Sequence, residues 1–122
     1  SAGVIQWPKS PGVAPLAINT QPGRDYYVKL VDMAGKTIMT MYVEGGRHFE
    51  TKVPLGAYEM RYASGKTWYG AIHRFGPETL YAKADSLFDF RFDGSGYSGY
   101  TVELILQPNG NLHTTHISAT EF

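Results

Sequence analysis

The chain contains no cysteine. Disulfides, thiolate metal sites and cysteine nucleophiles are therefore excluded. Neither charge is in excess: Lys+Arg and Asp+Glu are both 11, so the basic footprint of a nucleic-acid binder is missing. No apolar run approaches the roughly 18–20 residues that a spanning helix needs. A signal-peptide pattern is absent and the first residue is Ser1 rather than Met, so the polypeptide is expected to be processed or cut from something longer. What the sequence does have is aromatic residues and glycine, with nine Tyr, six Phe, two Trp and 14 Gly in 122 residues. That combination favours short strands and tight turns over long helices, in a chain of single-domain length.

Residues 1–14 hold Pro8, Pro11, Gly3 and Gly12 with little periodicity and read as a linker or extended arm. Trp7 is the exception, either docked on the domain or exposed to a partner. Residues 15–122 read as one domain. Strands are expected over Pro15–Thr20, Asp25–Val31 and Thr37–Val43, with a type I turn at Asp32–Gly35. Both strands around that turn are apolar on two faces, as for strands covered on each side. His48–Val53 alternates cleanly, with Phe49, Thr51 and Val53 one way and His48, Glu50 and Lys52 the other. Gly56–Phe75 reads as a hairpin turning at Ser64-Gly65, with Met60 facing Trp68 and Tyr58 facing Gly70. A short helix is the expectation for Glu78–Asp85, with Pro77 before it and Leu80 and Ala84 on one face. Phe88, Phe90 and Phe92 alternate inward along Leu87–Phe92, and Asp93–Gly96 reads as a mobile loop. A final hairpin, Tyr100–Gln107 with Asn111–Ile117, would set Leu106 opposite Leu112 and Val102 opposite His116. The expected fold is all-β: an antiparallel β-sandwich or small barrel of about eight strands, with at most one short helix near residues 78–85.

Catalytic patterns are weak. Gly35-Lys36-Thr37 and Gly65-Lys66-Thr67 lack the earlier P-loop glycine, whose place is taken by Leu30 and Met60, and both lead into strands. His113 and His116 are three apart, which in a strand sends them to opposite faces. Asp85, Asp89 and Asp93 suit a solvated edge better than a cation loop. No Ser sits in a Gly-x-Ser-x-Gly elbow. The chain is accordingly read as non-enzymatic, with no metal and no cofactor. A site assembled from His48, His73 and the Asp85–Asp93 region is the enzymatic alternative. The functional hint is the aromatic surplus. Trp68, Tyr69, Phe75, Tyr81 and Tyr97 are the candidate partner-binding residues. Trp68 and Tyr69 are adjacent, so a regular strand points one of them outward, where a ring can anchor a protein or stack on a sugar.

Val53-Pro54-Leu55-Gly56-Ala57-Tyr58 resembles the Pro-x-Gly-x-Tyr strand of PEGA and carboxypeptidase-regulatory-like domains, over residues 26–63. The resemblance implies a transthyretin-like sandwich used as a non-catalytic accessory module of a larger or envelope-associated protein. It favours the periplasm or the cell exterior and carries over no functional residue. The expected partner is a protein or an assembly, with carbohydrate as the alternative and with no nucleic acid and no membrane insertion by this segment.

Overall fold

The computed structural model describes residues 3–20, 22–66, 74, 76, 79–104, 114–118 and 122. Among them are ten strands: β1 (Gly3–Gln6), β2 (Ala14–Thr20), β3 (Asp25–Asp32), β4 (Thr37–Val43), β5 (His48–Val53), β6 (Gly56–Gly65), β7 (Leu80–Ala84), β8 (Phe88–Phe90), β9 (Tyr100–Leu104) and β10 (Thr114–His116). The larger sheet has the order β1-β4-β3-β6-β7-β10, with β8 also paired on β6; the smaller is β5-β2-β9. The sheets do not close into a barrel, and the fold is a β-sandwich. One pairing, β2 with β9, is parallel.

Period-2 alternation fills the space between the layers. The large sheet sends in Tyr26, Val28 and Leu30 from β3, Met39, Met41 and Val43 from β4, and Tyr58, Met60 and Tyr62 from β6. The small sheet answers with Ala14, Leu16, Ile18, Val53, Val102 and Leu104. Each large aliphatic side chain taken out of water here contributes about 1.5–3 kcal/mol. The β3–β4 connection is the expected tight turn. Gly35 N–H donates to Asp32 O at 3.0 Å, and Asp32 Oδ1 accepts from the N–H groups of Ala34 and Lys36 at 3.0 and 2.9 Å.

Pro54-Leu55-Gly56-Ala57-Tyr58 explains its own residue choice. The Tyr58 hydroxyl donates back to Pro54 O at 2.9 Å, with Leu55 O at 3.3 Å. This is the logic of a tyrosine corner, in which a ring ties a strand start to the residues before it. The ring lies over Gly56, where an added Cβ would sit 3.2 Å from the Tyr58 hydroxyl and where φ is +147°. Glycine meets both demands.

Four expectations are corrected. Leu80–Ala84 is strand β7, not a helix: Ala82 and Ala84 are buried in the core on alternate positions, and β6 supplies a ladder that one isolated helical turn lacks. Ser64-Gly65 is not a turn. Both belong to β6, because β3 lies opposite it from Tyr58 to Gly65, with Asp25 facing Gly65 and Tyr26 facing Ser64. Met60 lies opposite Leu30, and Tyr58 opposite Asp32 and Phe88; the Trp68 and Gly70 partners lie outside the described residues. Val102 and His116 do not face each other as the final hairpin would require. β9 pairs with β2, setting Val102 opposite Ile18, while β10 pairs with β7 in the other sheet, setting His116 opposite Ala82. Leu106 and Leu112 lie outside the described residues. Phe88 and Phe90 are buried as expected, but Phe92 is beyond the end of β8 and 53% exposed.

Between β7 and β8 the strand bulges. Lys83 faces Arg61 and Phe88 faces Tyr58, so five steps of one chain span three of the other. Within residues 3–14, β1 lies along β4, and Val4 packs on the core.

Candidate functional site

Strand register brings several connections to one pole of the sandwich. Gln6 lies beside Thr40, so the chain leaves β1 heading for the start of β4 and the Asp32–Lys36 turn. Asp32 lies opposite Tyr58, which brings that turn level with Pro54-Leu55-Gly56. Phe90 lies opposite Gly56, and Tyr100 opposite Leu16, so residues 91–99 loop around the same end. The segment after β1 is pinned at its far side. Val13 N–H donates to Val53 O at 3.0 Å, and Gly12 passes so close to β5 that a Cβ would lie 2.3 Å from Lys52 O.

This pole collects exposed apolar surface. Seven large hydrophobic side chains are exposed among the described residues, and five of them are here: Trp7 at 70%, Met33 at 68%, Phe92, Tyr97 and Leu55. Between Trp7, Ile38, Leu55 and Tyr58 lies a cleft of about 740 Å³, rimmed by Lys9, Asp32 and Lys36. Burial first, and the Asp32 carboxylate second, push the Tyr58 phenol above its ordinary pKa, so it stays a neutral donor. Asp32 is the only carboxylate among the lining residues, and its Oδ1 already accepts two backbone N–H groups. A Trp face, an aliphatic wall and a mixed-charge rim are the chemistry of recognition rather than of proton transfer.

Beneath the pole the core is aromatic. Tyr100 packs edge-on against Phe88 and Phe90, with centroids 5.0 and 4.9 Å apart, and its hydroxyl accepts from Asp89 N–H at 3.0 Å. Tyr97, singled out in the sequence, stands at the pole with its ring 5.2 Å from that of Phe92. The loop between them, expected to be mobile, is a closed turn: Asp93 Oδ1 accepts from Ser95 N–H, Ser95 Oγ and Gly96 N–H at 2.9–3.0 Å. Those bonds hold the Asp93 carboxyl below its ordinary pKa.

Tyr81 is elsewhere, half-buried on the outer face of the large sheet with its ring 5.3 Å from Phe122. Trp68, Tyr69 and Phe75 lie outside the described residues. Of the enzymatic alternative, His48 is not brought together with Asp89 and Asp93. His48 sits at the far end of β5 from Val53, hydrogen-bonded to Asn19 and 3.5 Å from Glu50, whereas Asp89 and Asp93 lie at the Trp7 pole. Asp89 is ion-paired with Arg91. His73 lies outside the described residues, and among those described no three His, Asp or Glu side chains converge as metal ligands do.

Met33 and Leu55 went unmarked in the sequence. The usable signal was a large apolar side chain in a turn next to a glycine or a charged residue, where core packing cannot reach it. No family model, curated protein or solved structure matches this chain.

Proposed function

We propose that the chain is a non-catalytic β-sandwich accessory module that binds a protein partner through the Trp7 pole, as part of a larger or envelope-associated protein. One observation carries this reading: five exposed apolar side chains stand at one end of the sandwich, and two of them, Trp7 and Leu55, line a cleft. Exposed apolar surface of this kind, rimmed by polar groups, marks interaction sites, and an aromatic anchor is the commonest centre of binding energy in them. The Pro54–Tyr58 resemblance to accessory domains supports the same role and favours the periplasm or cell exterior. The test is affinity capture from an envelope fraction, quantified for the unaltered chain, for a Trp7→Ala/Leu55→Ser variant, and for His48→Ala, at the far end of β5, as a remote surface control. A partner held by the first and third and lost by the second supports the reading. Equal capture by all three overturns it.

Carbohydrate binding is the second reading. The exposed faces of Trp7, Phe92 and Tyr97, next to the hydrogen-bonding groups of Gln6, Ser10 and Asp32, favour it. Glycan-array binding abolished by Trp7→Ala or Trp68→Ala would establish it in place of the protein partner.

A further inference from the structure

Among the described residues, each sheet ends in two terminal strands: β1 and β10 in the large sheet, β5 and β9 in the small one. A free strand margin offers unpaired N–H and C=O groups to any other strand, and charged side chains or proline ordinarily guard it. β5 has His48, Glu50 and Lys52, β9 has Glu103 and β10 has His116. β1 alone of the four has neither a charge nor a proline in Gly3–Gln6. Gly3 and Val4 are half-buried, Gln6 is exposed, and a Cβ at Gly3 would meet nothing within 4 Å.

This margin runs into the Trp7 cleft. β1 pairs with Tyr42, Met41 and Thr40 of β4, and its register slips between Val4 and Gln6. The Gln6 side-chain amide then donates to Thr37 O at 3.3 Å. The cleft opens where the two chains part, with Thr37 and Ile38 lining it from β4 and Trp7, Lys9 and Ser10 from the segment after β1.

Its rim is unbalanced in charge. Lys9 and Lys36 are exposed, and among the described residues no carboxylate forms an ion pair with either. Asp32, also on the rim, has its Oδ1 committed to the N–H groups of Ala34 and Lys36. Elsewhere at this pole Asp89 is paired with Arg91, and Asp93 closes its own turn. The cleft therefore presents two cations whose complement is an anion brought by the occupant.

We propose that the β1 margin and the cleft form one groove for an extended acidic segment of a partner protein. The segment's main chain adds to β1 as a further strand. One of its apolar side chains enters the cleft between Trp7 and Leu55, and a neighbouring carboxylate meets Lys9 and Lys36. Main-chain bonds to a strand of four residues are few, so the cleft contacts supply the selectivity. This inference rests on the Trp7 pole being an interface and adds the conformation and charge of what binds there.

The probe is a random peptide library displayed on phage and panned on the unaltered chain. Selected peptides are expected to hold Asp or Glu beside Leu, Ile or Phe. Labelled with fluorescein, they are expected to bind Lys9→Glu/Lys36→Glu about tenfold more weakly, with a flatter salt dependence. N-methylation of alternate amides along one margin of the peptide is expected to abolish binding, and along the other to leave it, as strand addition requires. The methylated peptides need no variant, so this arm stands whether or not the substituted chain folds. Peptides lost with Trp7→Ala/Leu55→Ser but held equally by Lys9→Glu/Lys36→Glu, or indifferent to methylation on both margins, leave the pole an interface and overturn the acidic strand. Peptides indifferent to both variants also overturn it, while the capture experiment decides the underlying reading separately. Dimerisation of the peptide-free chain that Gly3→Lys abolishes would give the margin to a second copy, and overturns it as well.

Discussion

The molecule has two apolar clusters, built differently on the two faces of one sheet. Between the layers, Val28, Leu30, Met39, Met41 and Met60 meet Leu16, Ile18 and Leu104 with no charged group among them. On the outer face, Tyr27, Ala63 and Phe122 meet Tyr42, Tyr81 and Ile117, under Lys29 and Arg74. The first buries side chains of two complete sheets and is expected to set global stability. The second is closed by Phe122, whose ring lies under Lys29 and Arg74. The contact from Lys29 to the group that covers it joins residues 93 apart in sequence.

The sharpest contrast comes from truncating one residue in each. Leu30→Ala should cost about 2–5 kcal/mol, as cavity-forming changes in dry cores do. Phe122→Ala removes a larger side chain yet should cost under about 2 kcal/mol, because Lys29 and Arg74 regain solvent. Denaturant midpoints measure both, and equal costs would make the outer cluster a second core. Next in size is Gly12→Ala. Its Cβ would strike the Lys52 carbonyl, which is backbone and cannot swing aside, so about 1–3 kcal/mol should be lost, with loosening at the Trp7 cleft visible by hydrogen exchange.

Tyr42→Phe tests the polar margin of the outer row. The Tyr42 hydroxyl donates to Asp25 Oδ2 at 2.8 Å, and its loss should cost about 1 kcal/mol. Burial, then that bond, then the Asp25 charge push the phenol from 10.0 up to about 12. The fold therefore favours the neutral phenol. This contribution is whole below pH 10 and is lost as pH climbs through about 12, which a tyrosinate absorbance titration of the folded chain and of Tyr42→Phe would display. The smallest effect belongs to Trp7→Ala. Its ring is mostly in water, so stability should change by less than about 0.5 kcal/mol, and a larger loss would mean that the pole is structural.

Local pattern carried most of the strands. The β3–β4 turn follows from Asp32 and Gly35, and β5 alternates as His48–Val53 does in the sequence. Covered outer faces on β3 and β4 were legible from Tyr27 and Tyr42, although the cover was not. Failures came where pairing is non-local. Leu80 and Ala84 mimic a helical face, and the small side chains of Ala82 and Ala84 give a faint period-2 signal. Matching Val102 to His116 treated neighbours in sequence as neighbours in space, whereas β2 and β7 take those two strands into opposite layers. At the site, Trp7 stood out because a Trp among prolines has no strand to serve. Met33 and Leu55 become a surface only when register brings two distant turns level. The candidate Tyr97 is at that surface, and Tyr81 belongs to the other face.

The parallel seam between β2 and β9 has a consequence for biosynthesis. β2 is made before β9 and has one flank free until Tyr100–Leu104 has left the ribosome. Until then Ile18 and Leu16 lack half their cover and an unpaired strand margin is open to neighbouring chains. Closing so long a loop is slow, so ribosome-stalled fragments ending before Tyr100 should lean on chaperones until β9 is available to pair.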